Sequence, residues 1–256
     1  MSTYKNGNGD KIYSNTPYGD LPSVTTILDQ LDKSGPLMGW AIKTVIEYMK
    51  SLADAKGHIL ITKDEAQDIF RKARAYHKEL QTQALELGSE AHNLIEVYIK
   101  GQKVDGLLEA NPKLKPSFEA FLDWQNTHKF KFISTERMVC SPLKYAGTLD
   151  AIAEKDGKLW VIDFKTSKTI YDEHLWQVAA YKTCVEDGMY WDNAQEKWVE
   201  SELEIDGGVG VLRLDKVTGI PEWKGYSLMD SLDAFDCFMS LCHLWHLRKA
   251  RETKCK

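Results

Sequence analysis

The segment Gly147-Thr-Leu-Asp-Ala-Ile-Ala-Glu-Lys-Asp-Gly-Lys-Leu-Trp-Val-Ile-Asp-Phe-Lys165 decides the fold. Two runs of small, branched and aromatic residues flank Asp156-Gly157, a dipeptide typical of a two-residue hairpin turn. A turn at that place sets Asp150 on the first strand directly opposite Asp163 on the second. Like charges facing each other across a sheet destabilise it, so this pair requires a compensating positive charge.

Lys165 follows Asp163 by two residues, and the period of two along a strand places both side chains on the same face. One lysine beside two aspartates leaves a net negative charge. A divalent cation is therefore the natural candidate for the missing charge.

The composition is that of a globular protein with a packed core. The chain has 256 residues, 43% of them hydrophobic, with eight tryptophans and no apolar run near the roughly 20 residues of a membrane span. The N-terminal sequence resembles neither a secretory signal nor a transit peptide, and five cysteines without framework spacing suit reduced thiols. We therefore expect a cytoplasmic protein with no membrane partner. The net charge of −5 argues against a general nucleic-acid coat but leaves room for a local basic groove.

The pattern along the chain predicts helices in the first half and a sheet in the second. Short polar turns precede a short helix after Pro22, and helical periodicity then predicts helices from 36 to about 50 and over 63–80, 82–100, 116–127, 172–186 and 229–250. Strand patterns cover 130–140, the hairpin, 209–214 and the residues before Tyr226. This order predicts an α/β fold with a mixed β-sheet flanked by helices. We predict one domain, 1–256, with a mainly helical part at 1–128 and the sheet with a final helix at 129–256.

Four motifs in order resemble those of one nuclease family. They are Gly88-x-x-x-His92, Gly147-Thr-Leu-Asp150, Asp163-Phe-Lys165 and Gln177-x-x-x-Tyr181. Together they resemble the RecB-like exonuclease branch of the PD-(D/E)XK nuclease superfamily, which includes phage-type exonucleases and the mitochondrial genome maintenance exonucleases. The resemblance implies a restriction-endonuclease-like core and a metal-dependent deoxyribonuclease.

The resemblance also implies roles for individual residues. Asp150 and Asp163 are implied metal ligands, with the backbone carbonyl of Phe164 as a further one, and Lys165 is implied to orient or activate the attacking water. His92 is implied as an additional ligand that favours Mn²⁺ over Mg²⁺. A salt-bridge cluster of the acids with Lys165, and a core histidine at position 92, are the alternatives for the same residues.

Further candidates surround this group. The resemblance has Gln177 and Tyr181 line the active site, although packing of the tyrosine on the sheet explains the same helical spacing. Glu136, on the strand before the hairpin, matches a recurrent acidic position, or is an exposed strand glutamate. Candidates for DNA contacts are the side chains of Trp40, Lys43, Lys168 and His174. For Trp40 core packing, and for the lysines simple solvation, are the alternatives.

The cysteines argue against the iron-sulfur cluster of some relatives of this family. That cluster uses one cysteine ahead of the nuclease core, and none precedes Cys140 here. Cys237, Cys242 and Cys255 lie near the end of the chain, and the first two lie among large apolar residues, which predicts buried thiols. We expect no iron-sulfur cluster.

The sequence thus predicts an Mg²⁺- or Mn²⁺-dependent exonuclease that releases 5′-phosphates from DNA with a free end. Its expected setting is phage or bacterial recombination, repair or replication, with a recombinase or single-strand-binding protein as a possible partner. The helical front half would guide a strand end to the site. A structure-specific endonuclease on the same core, and a catalytically silent nucleic-acid-binding module, are the alternatives.

Overall fold

The computed structural model describes residues 2–7, 9–53, 57–58 and 62–254, and Cys255 lies outside these ranges. The strands are β1 (Ser2–Lys5), β2 (Lys11–Thr16), β3 (Gly19–Pro22), β4 (Lys131–Ser141), β5 (Tyr145–Lys155), β6 (Lys158–Lys165), β7 (Met189–Asp192), β8 (Lys197–Glu200), β9 (Gly208–Leu214) and β10 (Pro221–Tyr226). The helices are α1 (Val24–Leu28), α2 (Ser34–Ser51), α3 (Lys63–Ile99), α4 (Asp105–Ala110), α5 (Lys115–His128), α6 (Asp172–Asp187) and α7 (Leu228–Lys254). None of the described helices is long and apolar enough to cross a lipid bilayer.

A seven-stranded mixed sheet in the order β10-β9-β6-β5-β4-β7-β8 forms the centre of the fold. All neighbouring strands are antiparallel except β6 and β9, which run parallel. Helix α6 lies between these two strands in the sequence, and its buried face joins α1, α7 and the sheet in the main apolar core. The predicted α/β fold with a mixed sheet flanked by helices is confirmed.

The β5–β6 hairpin has the register that a two-residue turn requires, with Lys155 opposite Lys158. Asp156 and Gly157 have φ of 54° and 75°, so both turn residues adopt the left-handed conformation. That is the geometry of a type I′ turn, whose twist matches that of the strands it joins. The predicted hairpin is confirmed.

The N-terminal residues form a sheet that the sequence did not predict. Strands β1, β2 and β3 pair in order. Ser23 then caps helix α1, because its Oγ accepts a hydrogen bond of 2.9 Å from the backbone N–H of Thr26. The helix predicted after Pro22 is thus confirmed, and its apolar face packs into the main core.

Three other predictions need correction. The helices predicted at 63–80 and 82–100 are the single helix α3. The region around Trp191 and Trp198, predicted to be irregular, forms the antiparallel pair β7–β8. Cys242 is buried as predicted, but Cys237 is exposed, because position 237 lies off the face of α7 that carries Phe238 and Cys242 into the core.

By the density of its contacts the chain divides into two compact units, residues 31–89 and residues 1–30 with 90–256. The first unit contains α2 and most of α3, where Trp40 meets His77 edge to face at 6.4 Å between ring centroids. The second contains the whole seven-stranded sheet and the motifs at 88–181, apart from Gly88 at its boundary. The single domain over 1–256 stays a prediction.

Candidate active site

Asp150 lies where β5 and β6 separate. The paired register ends at Ala151 and Ile162, one residue short of Asp150 and Asp163. The Asp150 carboxylate instead accepts a hydrogen bond of 2.6 Å at Oδ2 from the backbone N–H of Phe164. The ladder therefore stops one residue before the predicted direct pairing of Asp150 with Asp163, and the separated backbones leave the two carboxylates in different environments.

His92 approaches Asp150 from helix α3. Its Nδ1 lies 3.5 Å from Asp150 Oδ1, and its ring meets Phe164 edge to face. Burial opposes charge on both groups, yet their mutual attraction outweighs it, raising the pKa of His92 and lowering that of Asp150. Lys165 and the Phe164 N–H also help to lower the pKa of Asp150.

Glu136 lies opposite Asp150 on strand β4. The strands β4 and β5 pair at Thr135 with Ala151 and again at Arg137 with Leu149, on either side of this position. Glu136 has a φ of 47°, a left-handed conformation that costs a non-glycine residue about 1–3 kcal/mol. Burial and then the charge of Asp150 raise its pKa to about 7. A backbone in a left-handed conformation thus holds the Glu136 carboxylate close to that of Asp150.

His92, Glu136 and Asp150 each offer one ligand atom, and these three atoms lie within 4.8 Å of one another. One imidazole nitrogen with carboxylate oxygens suits Mn²⁺ well and leaves room for the oxygen ligands that Mg²⁺ requires. Glu136, expected only as an auxiliary acid, thus lies together with His92 and Asp150 in a group of atoms that could hold a metal ion.

Asp163 lies outside that group and is 1% exposed. Lys165 Nζ lies 2.6 Å from its Oδ2 as an ion pair. Oδ1 has no hydrogen-bond partner among the described residues. Burial and then the charge of Asp150 raise the pKa of Asp163, against the opposing effect of Lys165.

A buried carboxylate with an unsatisfied oxygen is costly unless a further charge compensates it. Together with the His92, Glu136 and Asp150 group, this unsatisfied oxygen makes the site one that fits a divalent cation.

Gln177 and Tyr181 lie on one face of α6, joined by a hydrogen bond of 3.2 Å from Gln177 Nε2 to Tyr181 Oη. Both are buried. Burial raises the pKa of Tyr181, and the charges of Asp163 and Asp150 are near enough to raise it further. A Cβ atom at Gly147 would lie 2.4 Å from the Tyr181 ring, so only glycine permits α6 to pack here. Gly147, the first residue of the Gly147-to-Asp150 motif, is thus required by Tyr181, the last residue of the Gln177-to-Tyr181 motif.

Tyr13 is a residue of the site's surroundings that the sequence did not reveal. It is 1% exposed on β2, and its hydroxyl lies 2.9 Å from Thr148 Oγ1. This bond connects the N-terminal sheet to β5 two residues before Asp150. No local signal identifies it, because the partners are 135 positions apart.

The four residues predicted to contact DNA are not part of the cluster around Asp150. Trp40 and Lys43 are exposed on α2 in the other unit, where Lys43 pairs with Glu47. Lys168 is exposed after β6. His174 is buried, and its Nδ1 accepts a hydrogen bond from the backbone N–H of Tyr171, which caps α6.

Comparison with known families agrees with this geometry. The family model of the PD-(D/E)XK nuclease superfamily, whose members use divalent metals, matches residues 73–237, well over half of the chain. No curated protein matches the sequence significantly. The matched range contains the β5–β6 hairpin, the metal-ligand group and helix α6, and the chain therefore belongs to the PD-(D/E)XK nuclease superfamily.

Proposed function

We propose that this chain is an Mg²⁺- or Mn²⁺-dependent DNA exonuclease of the RecB-like branch. The observation that carries this proposal is the cluster at the open end of the β5–β6 hairpin. There Asp150 and Asp163, with Lys165 beside the second acid, face His92 from α3. A silent binding module would have no need to keep both acids and the lysine in a buried, electrostatically costly arrangement.

The proposed ligands are His92, Asp150, Asp163 and the backbone carbonyl of Phe164, with Glu136 as an auxiliary acid. The cation supplies charge neutralisation for the phosphate and lowers the pKa of water at neutral pH. The Phe164 N–H fixes the Asp150 carboxylate, and His92 holds it from the other side. Both contacts keep Asp150 ionised and therefore ready to bind a cation.

We propose that Lys165 orients the attacking water. Its ammonium lies against Asp163 and is largely buried, so it is held in one place without a counterion from solvent. Three donors on a fixed ammonium can orient a water lone pair toward phosphorus. Attack forms a bond between the water oxygen and phosphorus and breaks the P–O3′ bond. The proton lost by the attacking water passes to solvent and the 3′ oxygen takes one from solvent, so the products are a 5′-phosphate and a 3′-hydroxyl.

Gln177 and Tyr181 are proposed to complete the site from α6. Their mutual hydrogen bond leaves the second amide hydrogen of Gln177 and the phenolic hydrogen of Tyr181 as donors. We propose that Gln177 contacts the scissile region and Tyr181 the DNA backbone. Trp40, Lys43, Lys168 and His174 stay predicted DNA contacts.

The wider setting of the activity is proposed on the same basis. Hydrolysis from a free DNA end suits phage or bacterial recombination, repair or replication in the cytoplasm, beside a recombinase or single-strand-binding protein. The two units would act as one nuclease domain, 1–256. A structure-specific endonuclease is the second candidate, because the same cluster cleaves an internal bond if the strand reaches it.

End-labelled linear and closed circular DNA, single and double stranded, test the proposal with Mg²⁺, Mn²⁺ or a chelator. We expect mononucleotides or short products with 5′-phosphates from linear DNA and intact circles. Nicked circles would favour the endonuclease, and no turnover with any metal would contradict both. Asp163→Asn is the control, since it removes one acid at nearly constant volume.

A further inference from the structure

A polar cleft of about 230 Å³ lies beside the candidate active site, between β4 and β7. The two strands pair only at Val139 with Tyr190 and at Cys140 with Met189. Among the described strands, β7 beyond Tyr190 pairs with β8 and not with β4, and β4 before Val139 pairs with β5 alone. The cleft opens where the strands diverge.

Glu136 lines this cleft and also belongs to the group of metal-ligand atoms with His92 and Asp150. The cleft and the candidate metal centre therefore share Glu136.

Arg137, the next residue on β4, has an arrangement suited to a phosphate. Its guanidinium carbon lies 4.3 Å from the centroid of the Tyr190 ring. No carboxylate lies within ion-pair distance of it among the residues that the structure describes. Arg213 differs from Arg137, because it forms ion pairs with Asp215 at 2.9 Å and with Glu222 at 2.7 Å. Stacking on an aromatic face fixes the plane of the Arg137 guanidinium while leaving its donors for a planar or tetrahedral anion.

Trp191, the residue after Tyr190 on β7, supplies a second aromatic ring to the cleft. It lines the cleft and meets Trp198 edge to face, with 5.8 Å between ring centroids. The turn after it is fixed, because Asp192 Oδ1 accepts hydrogen bonds from the backbone N–H groups of Ala194 and Gln195. The Asp192 carboxylate is thus held by donors of its own turn.

We propose that this cleft binds the unpaired nucleotide next to the scissile phosphate, with Arg137 on its phosphate and Trp191 stacked on its base. The inference rests on the proposed nuclease function. Stacking on a protein ring needs a base face that is free, and inside a duplex both faces are covered. The enzyme therefore takes single-stranded DNA, or the last nucleotide of an end separated from its complement.

Binding of a fluorescent single-stranded oligothymidylate, measured by anisotropy with Ca²⁺ as the cation and with the DNA checked for integrity, tests this directly. Arg137→Gln and Trp191→Leu should each raise Kd by about tenfold, the scale of one stacked base or one charged contact. Arg137→Lys should recover only part of the loss, because it keeps the charge without the planar fork. Trp191→Phe should stay near wild type, because it keeps a stacking ring.

Lys158→Gln is the matched control, an exposed basic residue at the hairpin turn that loses the same charge. Blunt duplex of equal length should bind less tightly than the single strand to wild type, and this difference should shrink in Trp191→Leu. Calorimetric Mn²⁺ titration should give the same metal affinity for Arg137→Gln as for wild type.

The cleft proposal is overturned if both cleft variants bind the oligonucleotide like Lys158→Gln, or if they lower kcat while KM and Kd stay unchanged. Wild-type cleavage in the same preparation separates this outcome from a failure of the nuclease proposal. Wild type that neither binds nor cleaves DNA with any divalent metal would overturn both.

Discussion

The two aspartates at the open end of the hairpin have opposite electrostatic environments. Asp150 accepts a backbone hydrogen bond and faces His92, which together hold its pKa below the usual range. Asp163 is more deeply buried, has the ion pair with Lys165 as its one polar contact among the described residues, and its pKa is raised. The Phe164 N–H and His92 compensate the negative charge of Asp150, whereas Lys165 does not fully compensate the charge of Asp163. The side of the site that carries Asp163 is therefore the one that a divalent cation would complete.

The largest expected effect is loss of cleavage when either acid becomes an amide. Asp163→Asn and Asp150→Asn should each lower kcat by about a thousandfold or more, the scale seen when a residue of a catalytic unit is removed. Single-turnover cleavage of end-labelled DNA measures this, and circular dichroism checks the fold. Activity near wild type in either purified variant would contradict the assigned site.

Lys165→Gln should also abolish most cleavage, by about a hundredfold or more, because the ammonium that positions the attacking water is lost. Lys165 lowers the pKa of Asp163, so its removal should raise that pKa further. The acid limb of any residual activity should then move to higher pH. An unchanged pH profile would show that Lys165 does not act on Asp163.

His92→Ala should weaken metal binding more than it weakens the chemistry. Loss of an imidazole ligand should lower the affinity for Mn²⁺ by about tenfold or more, while excess Mn²⁺ restores most activity. Calorimetric titration of Mn²⁺ measures the affinity, with His243→Ala, an exposed histidine on α7, as the control. Equal affinity in both variants would make His92 a core histidine.

The smallest expected effect concerns Glu136 and pH. Its pKa in the folded protein is raised to about 7 from an ordinary value of 4.5, so the folded state favours the protonated acid. Its contribution to stability is fully present below the unfolded pKa and is lost as pH rises through 7. With a chelator present, Glu136→Gln should therefore gain melting temperature relative to wild type between pH 5 and pH 8. Glu154→Gln, at the turn end of β5, is the matched control for the loss of a carboxylate.

The sequence predicted the parts of the fold whose causes are local. Asp156-Gly157 specifies its turn by two left-handed residues, and that turn fixes the register up to the aspartates. The β7–β8 hairpin was missed, because its strands have four residues each and its left-handed turn residue is Glu196, which is not a typical turn former. Helix α3 was divided wrongly, although no glycine or proline interrupts residues 63–87.

The sequence predicted candidate residues for the site, but it did not predict how they are arranged. Motif spacing named Asp150, Asp163 and Lys165, but no local pattern reveals that Glu136 adopts a positive φ opposite Asp150. The bond between Tyr13 and Thr148 depends on how the N-terminal sheet packs on β5, which only the tertiary structure determines. Long-range packing, not composition, decides which acids meet.

Melting temperatures with and without Mn²⁺, for wild type, Asp163→Asn and Asp150→Asn, test most directly whether a cation completes the Asp163 side. Binding to the folded state alone stabilises it by roughly 2.7 kcal/mol at a hundredfold excess over Kd, so wild type should melt higher with Mn²⁺. Without metal, Asp163→Asn should melt no lower than wild type, because it removes an undercompensated charge, whereas Asp150→Asn should melt lower. Added Mn²⁺ should barely shift Asp163→Asn. An Asp163→Asn variant that melts several degrees lower without metal and responds to Mn²⁺ as wild type does would contradict the account and make Asp163 a structural salt-bridge acid.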